Sequence, residues 1–393
     1  MAGAAREPAP VTNVSREQLA TAVRALCADF GHDYWQRADE ARTYPHEFVD
    51  ALTDAGYLAC LIPEEYGGMG LGVREACVIL EEINRSGGNA AACHAQMYTM
   101  GTLLRHGSEE QKRRYLPGIA SGELCLQAFA VTEPDAGSDT TRIRTFAERR
   151  GDRYVVNGQK VFISRVRQSD LMILLARTTP IDEVEKRTGG LSAFIVEVRR
   201  AGAALRINPI DTMINHESCE VFLDGLEVPA ANRIGEEGRG FRYIMAGMNA
   251  ERILLASESI GDGMYFIDRA SDYASARKVF GRRIGANQGV QFPIADAYMD
   301  IRAAAAVRDE AAREYDGGET RGEGPNMAKY LASRAAWKAA NVAMDTFGGW
   351  GMATEYGIER KFREARLYMV APVANNLVLS HVATHVLGMP RSF

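Results

Sequence analysis

The chain is poor in cysteine and has no cysteine pair at metal-ligand spacing. Cys27, Cys60, Cys77, Cys93, Cys125 and Cys219 lie far apart among 393 residues, with no CxxC and no histidine at ligand distance. That pattern argues against a zinc site and a disulfide framework and fits a reducing, cytoplasmic setting. A basic surplus is also missing: the net charge of −5 gives no footprint for a phosphate backbone, so nucleic acid is not an expected partner. No apolar run reaches membrane-spanning length, so no membrane association is expected. Residues 1–15 carry Arg6 and Glu7 in place of an apolar signal core and read as a mobile tail on a soluble protein. The glycines of EEYGGMGLG (64–72) follow no strand and lack the spacing of a dinucleotide fingerprint, so they read as a helix–helix loop.

What is present is a globular composition, 46% hydrophobic and 25% charged. From Arg16 to about 124, apolar residues recur at helical spacing, as in Leu19, Val23 and Leu26 and again in Phe48 and Leu52. Between 125 and 235 the period becomes two, with β-rich runs at 153–156, 171–176, 192–198 and 219–223, which predicts an antiparallel β domain. The polar stretch 178–190 reads as its hairpin loop. From 236 onward helices return, expected over 241–273, 293–315 and 325–347, with Pro325 placed as a first helical residue. The order is α, β, α, an α+β chain.

The most informative stretch is 128–164. Ala128, Phe129 and Val131 form an alternating segment that breaks into TEPDAGSD, a strand ending in a tightly turned polar loop. Such a loop offers hydroxyls and free backbone N–H groups to a flat polar ligand. NGQKVFIS then reads as an Asn-Gly turn and a short strand whose Phe162 and Ser164 share a face. An aromatic beside a hydroxyl suits a heteroaromatic ring. A plain alternative is a β core in which Phe129 and Phe162 merely pack.

Together with RKVFGRRIGANQGVQFPIADAYMDI (277–301) and FGGWGMATEYGIERKFREAR (347–366), these segments resemble the acyl-CoA dehydrogenase family of flavoproteins over nearly the whole chain beyond the first fifteen or so residues. The resemblance implies an N-terminal helical domain, a middle β domain, a C-terminal four-helix bundle, a homotetramer, and FAD as cofactor. It places Phe129, Val131 and Thr132 along one edge of the flavin ring, with Phe162 and Ser164 on the other side. Arg277, Phe280 and Gln288 fall where the family contacts the pyrophosphate and adenine half of a neighbouring subunit's FAD. The glycines Gly348 and Gly349 would let the backbone approach the same dinucleotide. Asp345 stands where the family commonly has Gln, and an acid near a pyrophosphate must be protonated, turned away or paired.

The family's reaction, part of fatty acid metabolism, removes the α proton of an acyl-CoA thioester to a base while the β hydrogen leaves as hydride, with electrons passed to an electron-transfer flavoprotein or another acceptor. In most members the base is a Glu after a stretch like REAR; counted forward here, that position is Pro372. Proline can neither take a proton nor donate a backbone N–H, and its plain role is to start the next helix. A minority of the family, isovaleryl-CoA dehydrogenase among them, keeps its base on the first long C-terminal helix, and the residue matching that position is Glu251. The competing role for Glu251 is that of a solvated helix acid. Arg252, Asn249 and Ser138 match contacts to the CoA arm, although Ser138 in a Gly-Ser-Asp turn also suits a cap. His94, Gln96, Met97, Tyr98 and Met100 fall on the helix that lines the family's acyl pocket, and their bulk points to a short or branched chain. Relatives without the usual Glu include desulfinases and flavin monooxygenases, and a flavin-binding scaffold without catalysis stays open on fold alone.

Overall fold

The computed structural model describes residues 15–319 and 321–391. Residues 1–14 of the expected tail lie outside that range, and Ser15, the last of it, belongs to the fold. Its hydroxyl accepts from Gln18 N at 3.2 Å while Gln18 Oε1 accepts from Ser15 N at 2.9 Å, a reciprocal cap that starts α1 (Arg16–Cys27). Five more helices follow: α2 (His32–Glu40), α3 (His46–Asp54), α4 (Val73–Arg85), α5 (Ala91–His106) and α6 (Glu109–Ser121). Ser108 and Gln111 repeat the same cap at α6.

The strands β1 (Ala128–Ala130), β2 (Phe146–Arg150), β3 (Arg153–Ser164), β4 (Leu171–Arg177), β5 (Leu191–Glu197), β6 (Leu205–Pro209), β7 (Ser218–Pro229) and β8 (Arg233–Ile234) form one sheet in the order β6-β7-β3-β2-β4-β5-β8. The pairing is mostly antiparallel, as the alternation predicts, but β1 lies parallel to β4 with Phe129 opposite Ile173. β4 is buried on both faces: Leu171, Ile173 and Leu175 meet α5 and α6, while Met172, Leu174 and Ala176 meet the inner residues of β3 and β7. Burial on two sides is why LMILLA runs without a polar residue.

One expected turn is absent. Asn157–Gly158 lies inside β3, where the ladder with β7 shifts register. Gly158 has φ 153°, and a Cβ there would run into Thr145, so glycine serves a bulge against a close neighbour. Asn157 Oδ1 accepts from Gly225 N at 2.8 Å across the strands.

After the sheet come α7 (Gly240–Ala276), the short hairpin β9 (Lys278–Val279) and β10 (Arg282–Arg283), α8 (Gln288–Asp316), α9 (Glu323–Phe347), α10 (Ile358–Ala365) and α11 (Asn375–His381). α8 begins five residues before Pro293, because Asn287 Oδ1 caps Gly289 N at 3.1 Å and opens the helix earlier. Pro325 is the third residue of α9, still in the first turn where its missing N–H has no intrahelical acceptor. Pro372 does not open α11, whose N-cap is Ala374. No helix among the described residues is long and apolar enough to cross a membrane.

The helical parts are joined by a buried polar network. Lys361 of α10 is fully buried and reaches Asp262 Oδ1 of α7 at 2.5 Å, Glu364 Oε2 at 3.0 Å and the Gly88 carbonyl at 2.7 Å. The Tyr368 hydroxyl donates to Asp262 Oδ2 at 3.1 Å and accepts from Asn84 of α4 at 2.8 Å.

Candidate functional site

The two halves of the 128–164 stretch come together by backbone. Val161 N–H donates to the Thr132 carbonyl at 2.9 Å, and Lys160 Nζ donates to the Val131 carbonyl and to Glu133 Oε1, each at 2.9 Å. Glu133 in turn accepts from Arg144 N at 2.7 Å and Thr145 N at 3.0 Å, which fixes the loop after β1 against β2. Burial pushes Lys160 down to about 8, opposed by Glu133. Phe129, Val131 and Thr132 are thus clamped beside the end of β3. There Phe162 is 61% exposed at φ 58°, while the next residue, Ile163, is buried. Phe162 and Ser164 lie on the face opposite Ile163, as the period of two requires. A ring held outward at a strained backbone position is open to a stacking partner and is not a core residue.

A chain of aromatic contacts runs from this face into the helices. Phe129 packs edge-on against Tyr98 at 5.5 Å, and Tyr98 against His94 at 5.1 Å. Gln96, Met97 and Met100 turn elsewhere. Gln96 Nε2 donates to the Leu58 carbonyl at 3.4 Å, and the two methionines are buried in separate hydrophobic clusters. Of the five residues expected along the acyl pocket, helical register therefore aims His94 and Tyr98 at the interior shared with α7.

Glu251 lies there, 6% exposed, and no hydrogen bond or ion pair with a described residue holds its carboxylate. Burial pushes it up to about 7; His94 and Arg252 oppose that rise and Glu258 adds to it. Glu251 is not a solvated helix acid. Seven residues on, Glu258 pairs with His94 Nδ1 at 3.2 Å. Two turns of α7 place both acids on one face, a spacing visible in the sequence that the motif match passed over. Arg252 is buried and donates to Asn249 Oδ1 at 2.9 Å. Pro372 lies in the segment before α11, where Lys329 Nζ holds the Val373 carbonyl at 2.7 Å and Asn375 Oδ1 at 2.6 Å. Burial, with Arg252 nearby, pushes Lys329 down to about 7. Ser138 is exposed and caps nothing, because Asp139 is the N-cap of the turn that follows.

Arg277, Phe280, Asp345, Gly348 and Gly349 line one open recess of about 820 Å³ at the far end of α7 and α9. Arg282 and Arg283 share it, so three guanidiniums face the single carboxylate of Asp345 and the recess is cationic. Gly348 has φ 59°, and a Cβ at either glycine would meet nothing within 4 Å, so the backbone there is open to close approach. Gln288 is exposed at the start of α8 and does not line the recess, whereas its neighbour Asn287 does. The recess lining includes none of the residues at 129–132 or 162–164.

Family models of the acyl-CoA dehydrogenase N-terminal, middle and C-terminal domains match residues 14–123, 128–226 and 238–387. The chain belongs to the acyl-CoA dehydrogenase family. It is 36% identical over 390 residues to "Acyl-CoA dehydrogenase FadE12" of Mycobacterium tuberculosis, covering 98% of each chain. Its structure is similar to that of glutaryl-coenzyme A dehydrogenase in a glutaryl-CoA complex, with a TM-score of 0.90, 32% identity and 97% of each chain covered. It is also similar to PigA with FAD and proline, with a TM-score of 0.88, 25% identity, and 96% and 99% of the chains covered. The fold is thus the acyl-CoA dehydrogenase fold, the protein is an oxidoreductase, and its cofactor is FAD. The residues present fit that cofactor: an outward aromatic face and hydroxyls beside clamped backbone for a flavin ring, and a separate cationic, glycine-floored recess for a pyrophosphate.

Proposed function

We propose that this acyl-CoA dehydrogenase family member oxidises a short or branched acyl-CoA thioester between its α and β carbons, with Glu251 as the α-proton base. The observation that carries the reading is Glu251 itself, a buried carboxylate without a fixed partner and with a pKa near the working pH of a general base. FAD, when bound, supplies the acceptor for the β hydrogen, and electrons pass onward to an electron-transfer flavoprotein. Phe129, Val131 and Thr132 on one side and Phe162 and Ser164 on the other would hold the flavin ring, and their hydroxyls and backbone donors would favour negative charge on it. Arg252, Asn249 and Ser138 hold the CoA arm, and the fixed Arg252–Asn249 pair supports the first two of these roles.

The test is an anaerobic titration of the FAD-loaded protein with short acyl-CoAs, following the flavin absorbance. Bleaching by at least one short or branched thioester is expected, and binding of every thioester without bleaching would overturn the reading. The pH dependence follows from Glu251. Its raised pKa keeps the base protonated at low pH, so the bleaching rate is expected to climb through about pH 7 and level off above it. A rate that falls as pH rises through that window would exclude Glu251 as the base.

The chain assembles as a homotetramer in which Arg277, Phe280, Gln288, Asp345, Gly348 and Gly349 reach the FAD of a neighbouring copy. Phe280, Phe292, Met299, Met352, Leu387 and Met389 are all more than half exposed, large apolar groups of the C-terminal domain that assembly would cover. Light scattering is expected to give four times the chain mass. A monomer that still holds FAD would contradict the shared site.

A further inference from the structure

Lys160 is fully buried within the β domain and bonds to two groups, the Glu133 carboxylate and the Val131 carbonyl, each at 2.9 Å. No other acid among the described residues pairs with it. Burying such a pair costs the hydration of both charges, and a well-packed apolar pair would stabilise the domain as well or better. What the pair does provide is direction. Glu133 is anchored by Arg144 N–H at 2.7 Å and Thr145 N–H at 3.0 Å, just before β2, so the Lys160 ammonium is held from one side while it holds the Val131 carbonyl on the other. The peptide between Val131 and Thr132 is trans, so Thr132 N–H points opposite to that carbonyl, away from Lys160. The next peptide is used within the protein: the Thr132 carbonyl accepts from Val161 N–H at 2.9 Å, and Glu133 N–H donates to the Ala136 carbonyl at 3.2 Å. Thr132 N–H has no acceptor among the described residues. It is a donor fixed in direction and left open, on a residue bonded to the neighbour of the outward Phe162.

We infer that Lys160 is a positioning residue for the cofactor: through the Val131 carbonyl it turns Thr132 N–H toward the flavin edge, and so favours the reduced, more negative form of the bound ring. The inference rests on the flavin-edge reading of Val131 and Thr132 above and adds the residue that sets their donor. A donor aimed beforehand at developing negative charge needs no reorganisation when that charge appears. Without Lys160 the peptide is free to rotate, and its N–H serves the oxidised and reduced rings more nearly alike.

The test is the two-electron midpoint potential of the FAD-loaded protein, measured without substrate against an indicator dye, together with the midpoint of chemical denaturation. Lys160→Met is expected to weaken the hold on reduced flavin about tenfold more than that on oxidised flavin, which lowers the potential by about 30 mV. Methionine also strands the Glu133 charge, so stability falls too. Lys160→Met combined with Glu133→Gln removes that charge and keeps an oxygen for the N–H groups of Arg144 and Thr145. This double variant is expected to regain most of the stability and none of the potential. Recovery of both would make the pair merely structural and overturn the inference. Thr132→Ala is the reference, because the flavin-edge reading itself requires loss of that hydroxyl to lower the potential. A shift in Thr132→Ala with none in the Lys160 variants would leave the flavin edge in place and sink the role of Lys160. No shift in any of them would sink the flavin-edge reading and this inference with it. If the Lys160 variants do not fold, amide exchange in the FAD-loaded wild type decides: Thr132 N–H is expected to exchange about tenfold more slowly once the flavin is reduced, and an unchanged rate would overturn the inference.

Discussion

Glu251→Gln is expected to slow substrate-driven flavin bleaching by about 10²-fold or more while FAD and acyl-CoA binding stay close to wild type. The amide keeps the size and most of the polarity of the carboxylate, and no ion pair is broken, because none holds Glu251 to a described residue. What is lost is the capacity to take a proton. Because Glu251 ionises in a buried setting with Glu258 close by, the substitution also removes one of two neighbouring acids, and the protein is expected to be no less stable for it. Stopped-flow bleaching with calorimetric binding separates the two effects, and full activity in the variant would end the assignment of the base. Pro372→Glu in the Glu251→Gln background is expected to restore part of the rate, since it returns a carboxylate and a backbone N–H at the place most of the family uses.

Lys361→Met carries the largest expected loss of stability, about 3–5 kcal/mol, as when one partner of a buried ion pair is removed. Lys361 is fully buried and is bonded to Asp262, to Glu364 and to the Gly88 carbonyl, so it ties α10 to α7 and to the loop before α5. Methionine fills the space but leaves the fully buried Asp262 facing only the Tyr368 hydroxyl. Glu364 fares better because Arg360 Nη1 also holds it, at 2.8 Å. The expected signature is a lower midpoint of chemical denaturation, partly recovered when Asp262→Asn is added to remove the stranded charge. A midpoint unchanged by Lys361→Met would show that this network contributes little.

The failures of sequence reading share a cause. Asn157–Gly158 has the composition of a hairpin turn, yet it is a bulge, because β3 continues along β7 and only that long-range pairing reveals it. Pro293 and Pro372 suit helix starts, but Asn287 and Ala374 take the N-cap positions. In each case a residue type allows several local structures, and its neighbours in space choose among them.

What the sequence determined by itself is what depends on short-range physics: the α, β, α order from hydrophobic period and the place of Glu251 on a long helix. Whether that acid is a solvated surface group or a buried one was beyond it. Tertiary structure decided this by bringing α5 against α7, so that His94, Tyr98 and Glu258 surround Glu251 and displace the water that would have held its pKa low.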